Sequence, residues 1–382
     1  DLMAIIAVGD FDKKQISGLI EKHFATIPSN QNYRERNLFP VPDHDETLFA
    51  LAKDPEATRT TVMVVYKSDP PTQSTISDYR RMLAERLYTR MLNMRLYEIM
   101  NQAEPPYLFG YSLKTSLVKT KSIYALAAAV HEDGVEKGLV TLLTESNRVR
   151  QNGFTQSELD RTKNELLREI EQYYKEKDKT ESQSYAGEYQ RNFLEEEPIP
   201  GIQYEYELSQ ALIPGISLDE INNMVNTLMT EKNRVVMISA PEQEVSVIPD
   251  ENQLLAIFAK MDEQEVEAYV DKVSDKPLVG EISQSSKIKK EKIHPETGLT
   301  EWRLSNGIRV ILKPTDFKND ELRFQSFSTG GTSLLSDAEY ISGNSASDVI
   351  SLSGAGEFDL NDLNKKLTGK VVTVFPYISD LT

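Results

Sequence analysis

The sequence contains no cysteine, which excludes disulfides, thiolate nucleophiles and cysteine-ligated zinc while leaving the compartment undetermined. Histidine is scarce as well: His23, His44, His131 and His294 are the only four in 382 residues. A histidine pair one helical turn apart could present a metal from a single face. These four stand at no such spacing from one another. Lysine and arginine number 43 against 60 aspartates and glutamates, a net charge of -17. Phosphate backbones call for a basic surface, so nucleic acid is not an expected partner. No run approaches the roughly 18 apolar residues of a membrane-spanning helix. A phosphate loop is missing, and Gly354-x-Gly356 lacks the rest of a dinucleotide fingerprint, so it reads as a loop after a helix.

What is present is organised around Leu83 to Tyr111. Tyr79, Met82, Leu83, Leu87, Met91 and Met94 recur at steps of three or four, one face of a helix. Pro105 and Pro106 stop that pattern. Tyr107 to Ser116 and Ser122 to Val130 are β-prone runs across the short polar turn Val118 to Lys121, so a hairpin is expected. Tyr107, Phe109 and Tyr111 would then share one face, with core packing as the default. Arg95 sits among apolar residues, where pairing with Glu98 one turn on competes with contact to a peptide or partner. The expected domain opens with the strand Thr60 to Tyr66. It continues through a helix from Val135 closed by Gly153, and a long helix capped by Thr155 and Glu158. A helix boxed by Ser217 and Glu220 and the strand Arg234 to Ala240 complete it.

On either side the expectations are looser. Leu2 to Val8 reads as a buried strand followed by a helix capped by Asp12. Such a strand needs a partner, so the chain reads as an interior piece of a longer protein. The same strand-and-helix order recurs at Val235 to Ala240 and Asn252 to Met261, a coarse repeat. Tyr33 to Thr58 and Gln264 to Pro295 read as linkers. A new unit opens with a strand from Trp302 to Lys313, turned by Asn306-Gly307, and a strand Glu321 to Ser328 ending at Gly330-Gly331. Glu195 to Glu197 reads as a solvated acidic run.

Four segments carry a family resemblance: Val8 to Asp12 (VGDFD), Leu92 to Glu98 (LNMRLYE), Thr155 to Leu167 (TQSELDRTKNELL) and Leu304 to Leu322 (LSNGIRVILKPTDFKNDEL). In this order they resemble the pitrilysin and insulinase family of zinc metallopeptidases. The resemblance implies an α+β fold of repeated two-layer units, each a mostly antiparallel sheet covered by helices. It divides the chain into the end of a first peptidase-like domain (1–45), a complete non-catalytic second domain (46–240), a helix and extended linker (241–300) and the start of a degenerate third domain (301–382). That family uses an inverted His-x-x-Glu-His helix, in which two histidines grip zinc and the glutamate activates water. Here Ser347, Ile350 and Ser351 stand at the matching positions of the third unit. Zinc would therefore belong to the parent protein, and this piece alone would be inactive.

The function implied is the non-catalytic middle of a zinc metalloendopeptidase, forming a chamber and holding peptide. The alternative is a non-peptidase relative that acts as a binding or assembly partner. Unfolded peptides or small proteins are the implied partners, together with contacts to first and fourth domains. The sequence leaves localisation open, with periplasmic or membrane-anchored extracytoplasmic placement compatible with it. A sheet edge captures peptide through main-chain hydrogen bonds, and the resemblance assigns that task to Phe109, Gly110, Tyr111 and Ser112. A bare Gly110 would let a peptide backbone approach, and valine there would obstruct it without unfolding the strand. The competing expectation is that both edges of this sheet are already paired.

Overall fold

The computed structural model describes residues 3–28, 37–243, 247–280 and 285–382. They fall into two compact units, residues 1–170 with 180–271 and residues 171–179 with 272–382.

In the first unit the described elements run α1 (Lys13–Phe24), β1 (Leu48–Asp54), β2 (Thr60–Ser68), α2 (Ile76–Met100), β3 (Phe109–Val118), β4 (Lys121–Val130), α3 (Val135–Asn152) and α4 (Gln156–Lys175). Then follow α5 (Ser182–Glu195), α6 (Ile202–Leu212), α7 (Leu218–Asn223), α8 (Val225–Leu228), β5 (Arg234–Pro241) and α9 (Glu251–Glu263). The sheet order is β1-β5-β2-β4-β3. Every pairing is antiparallel except β1 with β5. This is the α+β fold of a mostly antiparallel sheet with helices on it. Val62, Val64 and Tyr66 on β2, Tyr124, Leu126 and Ala128 on β4, and Val236 and Ile238 on β5 point into one large core. On the opposite face Val65, Ile123 and Ala125 form a thin apolar strip with Met63, Leu113 and Val235.

The long helix α2 forms where the apolar spacing places it. It begins at a reciprocal capping box in which Asp78 N–H donates to Thr75 Oγ1 and Thr75 N–H to Asp78. Its buried positions fall in pairs four residues apart: Leu83 with Ala84, Leu87 with Tyr88, Met91 with Leu92, and Arg95 with Leu96. That stripe is the face turned to the sheet, and each fully buried leucine in it stabilises the fold by about 1.5–3 kcal/mol. Met82, expected on this face, is exposed. The helix α3 ends at Gly153, whose φ of +73° and close approach to Asn222 Nδ2 admit no side chain.

Four expectations need correction. Met3–Val8 form no strand and are mostly exposed, Leu2 lying outside the described residues. No described strand lies beside them to take their N–H and C=O groups, so the coarse repeat has only one strand-and-helix copy. The expected linker from Tyr33 is described from residue 37 on and contains β1, whose Phe49 and Leu51 pack on the core. Of the expected linker Gln264 to Pro295, residues 281–284 lie outside the described part. Its first residues are bound to the first unit, and its last form a strand. Glu321 to Ser328 is exposed and irregular.

The second unit holds β6 (Ile288–His294), β7 (Leu299–Leu304) and β8 (Arg309–Leu312) in an antiparallel three-stranded sheet, then α10 (Asp337–Leu352) and α11 (Leu360–Leu367). The hairpin β7–β8 turns at Asn306-Gly307, as its turn chemistry requires. Among all described residues no helix is long and apolar enough to cross a membrane.

Candidate functional site

Three places bear on function: the outer edge of β3, the buried surroundings of Arg95, and the helix α10.

The strand β3 closes one end of the sheet, with β4 as its neighbour. Phe109 pairs with Ala129, Gly110 with Ala128, Tyr111 with Ala127 and Ser112 with Leu126. Phe109 and Tyr111 therefore lie on the face away from the helices. Their rings stack with centroids 6.2 Å apart and are 36% and 37% exposed, too open for core residues. Tyr107 is not on that face. It precedes the strand, is fully buried, and donates its hydroxyl to Leu96 O at 2.8 Å. The ring of Tyr107 lies directly under Gly110, where a Cβ would come within 2.9 Å of Tyr107 Cζ. Glycine at 110 thus makes room for a core aromatic ring, and valine would strain the domain itself.

The edge of β3 is engaged at Ser112. Ser112 N–H donates to Asn93 Oδ1 at 2.6 Å and Asn93 Nδ2 donates to Ser112 O at 3.0 Å. The Ser112 hydroxyl also donates to Asn93 Oδ1 at 3.0 Å. Main-chain groups alternate sides along an antiparallel strand. Since those of Ser112 point away from β4, those of Gly110 and Lys114 point the same way. Asn93, on α2, is the residue that sequence reasoning missed. Its position between the buried pairs of the helix carried no signal of a contact to a strand 19 residues on.

Arg95 does not pair with Glu98. Arg95 Nε donates to Glu158 Oε1 at 2.7 Å and Nη2 to Glu158 Oε2 at 2.8 Å, a two-pronged pair. Nη1 reaches Glu145 Oε1 at 3.2 Å and Nη2 reaches Gly153 O at 3.2 Å. The guanidinium lies over the rings of Phe154 and Tyr269, 4.8 and 4.2 Å from their centroids. Burial works against its charge, but Glu158 and Glu145 outweigh burial and hold its pKa above the ordinary arginine value. Glu145 takes a second cation, Arg148, at 2.9 Å, so two carboxylates face two guanidinium groups. With its side chain 1% exposed, Arg95 cannot meet a peptide. It ties α2, α3 and α4 to the segment after α9.

That segment is strapped down by side chains. Asn147 Nδ2 donates to Met261 O at 2.6 Å, and Gln151 binds both Gln264 O and Val266 N–H. Arg161 takes both oxygens of Asp271 at 2.7 and 2.9 Å. The Tyr269 hydroxyl donates to the Glu98 carboxylate. Burial first, then Glu98, pushes that hydroxyl far above the ordinary tyrosine range, so it stays protonated and continues to donate.

The profile of the Peptidase M16 inactive domain matches residues 1–166. The "Zinc protease PQQL-like" of Arabidopsis thaliana is 32% identical over 349 residues, which span 89% of this chain and 33% of that protein. The "Probable zinc protease PqqL" of Haemophilus influenzae is 21% identical across 100% of this chain and 41% of its own length. The chain belongs to the pitrilysin and insulinase family. It spans between a third and two fifths of the length of these family members. The fold is that of the periplasmic protease PqqL from Escherichia coli, with a TM-score of 0.63 and 19% identity over 97% of this chain and 41% of that one. The ferredoxin protease FusC, solved in complex with Arabidopsis ferredoxin, superposes with a TM-score of 0.60 at 16% identity over 98% of this chain and 42% of that one.

Family chemistry calls for zinc, and the residues of α10 do not fit it. Ser347, Ile350 and Ser351 occupy the motif positions; the Ser351 hydroxyl donates to Ser347 O at 2.8 Å, inside the helix. No group of three or more histidine, aspartate or glutamate side chains among the described residues is arranged to hold a metal. His44 is engaged locally, with Nδ1 at 2.6 Å from Glu46 O, and His294 pairs with Glu301 at 3.4 Å. The chain is a non-catalytic portion of a zinc-protease family member, and no catalytic step is assigned to its own residues.

Proposed function

We propose that this chain serves as the peptide-holding portion of a zinc metalloendopeptidase whose zinc site lies in other residues of the parent protein. In that reading the second domain walls a chamber, and an extended, unfolded peptide or small protein adds to the edge of β3 along Gly110 to Lys114. Phe109 and Tyr111 offer exposed aromatic surface to its side chains. The observation that carries the reading is the position of β3 at the end of the sheet, next to β4 alone among the named strands. Membership in a protease family supports peptide or protein as the ligand class, and the relative solved with ferredoxin supports a small protein as one substrate form.

The test is to bind a fluorescein-labelled octapeptide of alternating threonine and lysine to this chain and to follow amide exchange along β3. Exchange at Gly110 and Lys114 should slow on binding. Lys114→Pro removes an outward N–H that the β3–β4 ladder does not use, together with the ammonium that pairs with Glu85; measured against Lys114→Ala, which loses the ammonium and keeps the N–H, it should weaken binding several-fold. Peptide binding that leaves the β3 amides unaffected would overturn the site. The chain alone should neither retain stoichiometric zinc on metal analysis nor cleave the peptide.

A further inference from the structure

The primary amide of asparagine carries the same groups as a peptide bond: an acceptor oxygen and N–H donors. Asn93 uses both on one residue of β3, taking the Ser112 N–H and giving to the Ser112 carbonyl. An added strand would make that pair of contacts at Ser112. It would go on to Gly110 and Lys114, two residues to either side on the same edge. Continuous addition across Gly110, Ser112 and Lys114 is therefore incompatible with Asn93 where it stands.

We propose that Asn93 is an internal stand-in for one residue of an incoming strand, so that peptide capture on β3 proceeds by displacing its side chain from Ser112. This rests on the edge reading above and adds the regulation of that site. Several observations favour a held latch over an incidental contact. Asn93 is bracketed by the buried Met91, Leu92, Arg95 and Leu96, which fix α2 against the core and leave only the side chain to move. The Ser112 hydroxyl adds a third bond between the two residues, the second that the Asn93 oxygen accepts. An open edge invites pairing with any extended chain, and filling its middle residue breaks the edge into pieces too short for a stable ladder. A ligand able to make several main-chain bonds at once can exchange for Asn93, whereas a short or weakly extended one cannot. The latch would thereby favour unfolded chains long enough to span Gly110 to Lys114.

The experiment compares wild type with Asn93→Ala and Asn93→Asp. It uses the threonine–lysine octapeptide and a copy N-methylated at alternate residues, which cannot donate from the main chain. Asn93→Ala should bind the unmodified peptide about tenfold more tightly, the factor that one or two net hydrogen bonds represent. Its free Ser112 amide should exchange faster and become protected on peptide addition. Asn93→Asp keeps the size of the side chain and the acceptor but loses the donor to Ser112 O. It should fall between the two, and it provides the comparison if Asn93→Ala does not fold. Equal affinity in all three, with binding lost on N-methylation, would overturn the latch while leaving the edge site standing. Weaker binding by Asn93→Ala at an unchanged unfolding midpoint would also overturn it, because Asn93 would then contact the peptide directly. Binding by none of the three would overturn both the edge site and the latch.

Discussion

The two units of this chain are made of the same kinds of element and differ in what those elements bury. In the first, both sheet and helices turn apolar stripes toward one core, and Leu83, Leu87, Leu92, Leu126, Leu139 and Leu142 are sealed from solvent. In the second, the described residues contain just four buried side chains, Thr332, Ser347, Phe358 and Lys365, and one of those is apolar. Yet Ile341, Val349 and Ile350 on α10, and Phe324, Val374 and Phe375 in irregular segments, are exposed. The sequence has supplied apolar residues to both units; only the first has a second layer to bury them against. Regular hydrogen bonding forms a three-stranded sheet and a helix of four turns, but burial is what makes a unit hold together by itself.

The largest expected effect comes from separating them. A chain of residues 37–271 should unfold in one cooperative urea transition, and residues 272–382 alone should show none; a sharp transition in the latter would break the contrast. Next come the buried positions. Arg95→Ala would strand Glu145 and Glu158 without their cation and should cost about 3–5 kcal/mol, and Leu87→Ala about 2–5 kcal/mol, by denaturant unfolding. Ile341→Ala on α10 should stay within about 0.5 kcal/mol. Gly110→Val forces a side chain against the Tyr107 ring and should cost about 1–3 kcal/mol, so an unchanged melting midpoint would show that the ring can move aside.

The smallest effect is a pH dependence. Thr72 and Thr75 bond the Asp78 carboxylate and hold its pKa down to about 2, against about 3.9 unfolded. Its contribution is fully present above the unfolded value and is lost as pH falls through the folded one. Asp78→Asn should therefore be less stable than wild type at pH 7, and the two should converge between about pH 4 and about pH 2. Glu339, bonded to Ser336 at the start of α10, is lowered for the same reason. Glu339→Gln should register as faster amide exchange in α10 and leave the global unfolding of the first unit unmoved.

Much of the first unit was legible because local signals agreed there. The α2 periodicity, the Pro105-Pro106 stop, the hairpin from Tyr107 and the caps at Asp12, Thr155 and Ser217 are fixed by neighbours within a few residues. Where the reading failed, the deciding partner was distant. β1 offers two inward residues, Phe49 and Leu51, between turn-forming stretches. It becomes a strand because β5, more than 180 residues on, offers it an open edge. The run 264–271 has no periodicity and is ordered by single side chains on α2, α3 and α4. Arg95 had Glu98 at helical spacing, but the helix places it toward the core, where only Glu145 and Glu158 could offset its burial.

By itself, then, the sequence determined fold class and most element positions, since those follow from spacing, caps and turn chemistry along the chain, while the family was carried by the resemblance of four segments. Tertiary structure alone decided that β3 is a sheet end, that Gly110 makes room for Tyr107 and that Asn93 rests on Ser112. Each of those depends on which segments meet across the sheet, a property set by burial of the whole core.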